Sequence, residues 1–343
     1  MLLRRSFTEN PEPTNRGASP LSSHWRTLRR RILTPNSAQS TMSVRGFEVK
    51  NETSKELLET IGSTFLDGYG TAVEAKSTTD AEDRLQTVPE RFRGFAYEGA
   101  AMGFAVLDAL PPRGRRVTRF LAGRGTEHLY MAYIGVGWAL ARLPRLRWPS
   151  IEPLDPLLRW LLLDGYGFHQ AYFHTREYVH EQYRDNRFAW PDAPLSYAQR
   201  VIDQGIGRAL WFVAGTDPEV AGQLIDAYPG SRHADLYSGA GLAATYAGGV
   251  STEELRLFFE RAGKHQPDVA QGSAFAAEAR LRAGLRVPHT GLATEVFCGR
   301  TPEEAAEVCR RTRPTDTGTH DGVPAFEVWR RRIADEFILT GRS

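Results

Sequence analysis

The chain has 343 residues, 41% of them hydrophobic and 24% charged, with a formal net charge of +2. This is globular composition with ample length for a core, and so small a net charge gives no general case for nucleic-acid binding. No apolar run reaches the roughly 18 residues of a membrane span, so no transmembrane segment is expected.

Residues 1–23 are polar and turn-rich and read as a disordered leader, with no apolar stretch of signal-peptide type. The remainder, 24–343, reads as one nearly all-α domain. WRTLRRRIL (Trp25 to Leu33) is a short basic amphipathic helix. It is expected to dock on the first helices of the domain itself, with a membrane surface or an acidic partner as the alternative. Ser43 to Val49 has the pattern of a short strand. A helix follows over Ser54 to Ala75, with Ser54 as its cap and Leu57, Leu58, Ile61, Phe65 and Leu66 at helical spacing. PPRGRR (Pro111 to Arg116) and WPSIEPLDP (Trp148 to Pro156) are linkers, and Thr175 to Tyr197 is an aromatic, charged insertion. Thr301 with Glu304 forms a capping box at the start of a late helix, and a terminal helix closes the chain. Cys298 and Cys309 show neither metal-ligand spacing nor a disulfide framework, which fits a reducing cytoplasm.

A short signature recurs through the middle of the chain: YEGAAMGFA, YIGVGWALA, LDGYGFHQA, DQGIGRALW, YSGAGLAAT and AQGSAFAAE. Its aligned glycines are Gly99, Gly135, Gly165, Gly205, Gly239 and Gly272, spaced by 36, 30, 40, 34 and 33 residues. A loose period of this size predicts stacked helical hairpins, arranged as an open solenoid or a closed α/α ring. Two and four residues after each glycine the chain is again Gly or Ala, except that His169 interrupts the series. Small residues on one helix face let a neighbouring backbone come close. Glycine inside a helix costs about 1 kcal/mol against alanine, so its recurrence predicts a packing need.

The residue before each glycine is Glu98, Ile134, Asp164, Gln204, Ser238 or Gln271. These read either as helix-start caps or as polar groups lining a shared cavity. His169, with Asp164 or Asp203, is the candidate for proton transfer. Asp203 and Arg208 are expected to form a local ion pair or to sit in the cavity. On a straight helix His169 and His180 fall about 20° apart while His174 lies about 140° away, so the three do not bind one metal from one helix. Tyr133, Trp138, Tyr166, Phe168, Tyr172, Trp211 and Tyr237 recur beside the glycines. With Glu98, Gln204 and Gln271 they are the candidate lining of a large pocket for an apolar ligand, the alternative being plain core aromatics. Asp80, Glu82 and Asp83 form a DAED sequence reminiscent of alkene-protonating acids in one class of terpene cyclases, and they also suit a helix start. No DDxxD, GxSxG, Walker loop or HExxH is present, and the GxG pairs do not follow strands. No cofactor and no metal site is expected.

Taken in order, RRRIL, LLETIGSTFLDGY, FRGFAYEGAAMGFAVLDAL, YIGVGWALARL, LLDGYGFHQAYF, DQGIGRALWFV and LYSGAGLAATYAGG resemble the UnbL-like family, catalogued as a domain of unknown function. The resemblance runs from about Trp25 to the C-terminus. It implies an accessory role in bacterial secondary-metabolite clusters, including those for enediyne polyketides, around the linear polyene of the polyketide synthase. It brings no catalytic residues with it.

Three functions are therefore expected to compete. In the first, the chain binds or modifies an apolar polyene by acid–base chemistry of lyase or cyclase type. In the second, it is a non-catalytic scaffold for cluster-encoded partner proteins. In the third, it is an isoprenoid cyclase, which requires Asp80 or Glu82 to face the same cavity as His169. For the first, His169→Ala is expected to leave folding intact and abolish function.

Overall fold

The computed structural model describes residues 20–340 except 112, 192, 193 and 321. The expected leader falls outside the described residues as far as residue 19; the chain is already helical from Pro20. In chain order the helices are α1 (Pro20–Leu33), α2 (Met42–Arg45), α3 (Glu52–Glu74), α4 (Thr78–Leu85), α5 (Glu90–Ala109) and α6 (Arg116–Ala122). They continue with α7 (Leu129–Arg142), α8 (Leu161–Phe173), α9 (Leu195–Val213), α10 (Pro218–Asp226) and α11 (His233–Ala247). The last are α12 (Thr252–Ala262), α13 (Gln266–Arg282), α14 (Pro288–Cys298), α15 (Pro302–Thr312) and α16 (Ala325–Thr340). Among the described residues the chain is all-helical but for one antiparallel pairing of Thr319–His320 with Val323–Pro324. The strand expected at Ser43 to Val49 is absent, because α2 ends there on Gly46 in the left-handed region. Among the described residues no helix is long and apolar enough to cross a membrane.

Local chemistry explains several of the helix starts. The Asn51 side chain, rather than that of Ser54, caps α3 by accepting from Ser54 N. Side-chain capping recurs as full capping boxes at α12 (Ser251 with Glu254) and at α15 (Thr301 with Glu304). The insertion expected at 175–197 contains a π-helical turn, Arg176–His180, directly after α8.

Helices α5, α7, α8, α9, α11 and α13 are buried along most of their length and on all faces, so they form an inner layer. Each packs on the next in chain order, with α3 before α5. The glycines make this possible. A Cβ on Gly99, Gly135, Gly165, Gly205, Gly239 or Gly272 would run into the carbonyl oxygen of Phe65, Glu98, Ile134, Asp164, Gln204 or Ser238, respectively, on the preceding helix. The glycines two positions on reach the other way. Gly137, Gly167, Gly207 and Gly241 lie on the carbonyls of Leu162, Ile202, Leu236 and Val269 of the following helix. Backbone therefore meets backbone at each step. The same register extends to α3, where Gly68 lies on Ala96 O, although Leu66 stands at the aligned glycine position.

The inner row curls until its later members touch α5. Phe95 meets Tyr246 of α11 edge to face at 5.2 Å. Arg280 of α13 donates to Arg91 O at 3.0 Å, and Arg208 of α9 reaches Glu98 at 4.0 Å. The N-terminal strap between α1 and α3 crosses this assembly, with Phe47 against Tyr172 at 5.0 Å and Glu48 N donating to Val213 O at 2.9 Å.

Candidate functional site

An apolar cleft opens between α3, α5, α7, α8 and α9. Its walls are Phe65, Phe95, Trp138, Phe168, Tyr172 and Phe212, with Ile61, Leu66 and Phe173 beside them. Pro35 and Ser40 of the N-terminal strap lie across it, and a Cβ on Gly62 would come within 2.7 Å of Ser40 Cβ. The free volume inside is about 50 Å³, room for a few water molecules. Glu98 and Arg208 are the charged groups in its lining.

These two belong to a buried triad. Arg208 donates to Asp164 Oδ1 and stands 4.0 Å from Glu98, and its guanidinium covers the Phe168 ring at 5.1 Å. One cation faces two acids where water is scarce, so both carboxyls ionise only at high cost. Asp164 holds the hydrogen bond to Arg208. Burial raises its carboxyl above the usual range and Arg208 opposes that. Glu98 has the weaker hold. Burial, opposed by Arg208 and reinforced by Asp164, pushes it to about 7. A carboxyl poised near neutrality at the inner end of an aromatic cleft is suited to give and take a proton.

Several buried polar atoms around the triad have no protein hydrogen-bond partner: Asp164 Oδ2, Arg208 Nε, Trp138 Nε1, Tyr246 Oη and both side-chain polar atoms of Gln204. The Trp138 indole makes no close bond, yet it is near enough to Glu98 to favour the ionised form. Native interiors leave few such atoms unmatched, so these groups call for water or a ligand as partner.

Of the residues that sequence singled out, Glu98, Trp138, Phe168 and Tyr172 line the cleft, and Asp164 joins Glu98 through Arg208. The others lie elsewhere. His169 is buried behind the wall, its ring 4.7 Å from Phe173 and 5.6 Å from Trp138, with Nδ1 at 3.3 Å from Gln170 Oε1. Burial lowers its pKa to about 3, so it stays neutral. Asp203 is held by Arg232 and Arg184 on the far side of α9. The expected Asp203–Arg208 pair does not form, because five residues on a helix place two side chains about 140° apart. Tyr133 accepts from Asp155 N at 2.8 Å, Tyr166 packs on Phe188 at 5.1 Å, and Trp211 on Phe258 at 5.5 Å. Tyr237 stacks on His265 at 5.5 Å. Gln271 accepts from Ser238 at 2.7 Å and from Arg330 at 3.3 Å. The polar residues before the glycines are not helix-start caps: Glu98, Gln204, Ser238 and Gln271 lie well inside their helices.

Asp80 and Glu82 do not reach the cleft. Asp80 caps the backbone N–H of Lys76 at 2.9 Å. Glu82 lies beside the backbone N–H groups of Arg124 and Gly125, which favour its ionised form, and Gly123 is the residue that lets it approach. Both acids hold turns around α4 and α6. Sequence reasoning missed Phe65, Ile61, Leu66 and Phe95 as lining residues. The signal was there in Phe65 and Leu66 beside the Gly68–Gly70 pair, the unrecognised seventh copy of the register.

The model of the family described as "Protein of unknown function (DUF1702)" matches residues 24–337, and the chain belongs to that family. No curated protein and no solved structure matches it.

Proposed function

We propose that this protein binds an apolar polyene in the aromatic cleft and moves a proton on it with Glu98, as an accessory protein of bacterial secondary metabolism of the enediyne polyketide kind, working in the cytoplasm. The observation that carries the reading is the Glu98 carboxyl, poised at about 7, at the inner end of a cleft walled by aromatic rings. Protonated Glu98 gives its proton to an alkene carbon, which leaves a carbocation facing Trp138 and Phe168 and a carboxylate facing Arg208. The carboxylate then takes a proton from a neighbouring carbon. The product is an isomerised or cyclised polyene, with no net oxidation and no co-reactant. An isoprenoid fits the same walls and the same chemistry. In this reading the inner helices close as an α/α ring around the triad.

The closed cleft is too small for such a ligand, so the strap carrying Pro35 and Ser40 lifts to admit it. The test is extraction and mass spectrometry of small molecules that copurify from the native host, comparing wild type with Glu98→Gln. A polyene or isoprenoid on both proteins, with a different retention time or absorption spectrum on the variant, supports proton transfer by Glu98. An empty wild-type protein that brings down a cluster-encoded protein refutes the reading and favours a scaffold.

A further inference from the structure

The helix α1 is mounted the wrong way round for a surface helix. Its polar side faces the protein. Arg30 pairs with Glu74 at 2.9 Å and Asp67 at 3.6 Å, Arg29 donates to Ala75 O at 3.4 Å, and Thr27 reaches Glu74 at 3.5 Å. Gly70 provides the space in which the Arg30 guanidinium lies. The apolar side faces out, with Trp25 62% exposed, Leu28 45% and Ile32 66%. These three side chains fall within an arc of about 60°. The expectation that this helix docks on the first helices of the domain holds, through Arg29, Arg30 and Leu33, while Trp25, Leu28 and Ile32 take no part in the docking.

We propose that α1 docks on an anionic lipid surface. Trp25, Leu28 and Ile32 enter the interface between headgroups and acyl chains, while the exposed Arg31, which flanks the arc, meets the phosphates. The segment contains four arginines and no acidic residue. That complements an anionic membrane and opposes pairing with α1 of a second copy, where arginine would face arginine. Two residues beyond α1 the strap reaches Pro35, which covers the aromatic cleft. Membrane docking would thus put the cleft mouth beside a source of apolar molecules; this consequence, and only this one, rests on the polyene reading.

The experiment is flotation of the purified full chain with vesicles of phosphatidylglycerol and phosphatidylcholine, against vesicles of phosphatidylcholine alone. The comparison includes a Trp25→Ala/Ile32→Ala variant, Arg31→Glu, and Leu257→Ala as a control at an exposed apolar residue on α12. Expected are binding to the anionic vesicles, a loss of about tenfold or more in the double variant, weaker binding for Arg31→Glu and at raised salt, and no change for Leu257→Ala. The altered side chains are exposed, and an unchanged melting temperature confirms that folding is intact. No binding to either vesicle overturns the proposal, as does binding that the α1 variants leave untouched. A concentration-dependent dimer lost in the double variant, without lipid binding, overturns it in favour of a second copy. The assay contains no polyene, so failure of the polyene reading leaves its result unaffected.

Discussion

Replacing Gly205 by alanine puts a methyl group where the backbone of α8 already is. The nearest atoms are Asp164 O and C and Phe168 N, all backbone, so no side chain can swing away. The two helices must separate by something approaching 1 Å. An interface with on the order of 50 atom pairs, each worth about 0.15 kcal/mol, forfeits about a quarter to a half of that attraction over such a gap, or roughly 2–4 kcal/mol. The gain in helix propensity offsets about 1 kcal/mol. The net expectation is a destabilisation of about 1–3 kcal/mol, in the range of other overpacked interiors. Gly291 in α14 is the internal control, because its nearest neighbour would be Pro302 at 3.9 Å, an ordinary contact. Gly291→Ala should keep the propensity gain and stabilise by up to about 1 kcal/mol. Urea unfolding of the three proteins measures both effects. If Gly205→Ala is as stable as wild type, or more so, the backbone contacts do not set the helix spacing.

Three further outcomes follow from the site. Glu98 has a folded pKa of about 7, raised from 4.5. Its protonation therefore favours the folded state most fully at low pH, and that contribution is lost as pH rises through the window from 4.5 to 7. A displacement of that size corresponds to about 3 kcal/mol. Unfolding curves of wild type and Glu98→Gln, followed from about pH 4 to about pH 8, should diverge by an amount of that order. Parallel curves would show that Glu98 ionises normally. Arg208→Met leaves Asp164 buried without its cation and should cost about 3–5 kcal/mol, much of it recovered in Arg208→Met/Asp164→Asn; no recovery in the double variant counts against the pair as the cause. His169→Ala removes a ring packed on Trp138 and Phe173 and should lower stability by roughly 1–3 kcal/mol while leaving the Glu98 titration in place. An unchanged melting temperature with lost function would instead return His169 to the chemistry.

The glycine signature was legible because close helix contact has few solutions in sequence. A helix interior that places glycine repeatedly at one register announces a neighbour. The first copy was missed because Leu66 occupies the aligned position and Gly68 alone carries the contact. The triad was half legible: its members were each candidates for a shared cavity, but their pairing was not visible. Glu98, Asp164 and Arg208 come from three helices, and only the curl of the inner row brings α9 against α5. His169 stood out as the one large residue in a series of small ones. That irregularity reports on local packing with Phe173 and Trp138, which sequence spacing does not separate from a place in the cleft. The acids of α4 were half legible: a run of carboxylates near a helix start serves caps and turns, and Asp80 and Glu82 do so.

Because neighbouring inner helices touch through peptide groups, the distance between them is set by atoms that every sequence shares. The side chains one before and three after each glycine, such as those of Glu98, Trp138, Phe168 and Arg208, take no part in these backbone contacts. They can change size or charge while the helix axes stay where they are. Relatives with the same glycines are then free to present cleft walls of very different chemistry on an unchanged frame. Divergence in the chemistry of the cleft walls should appear at those two positions long before it appears in the glycines.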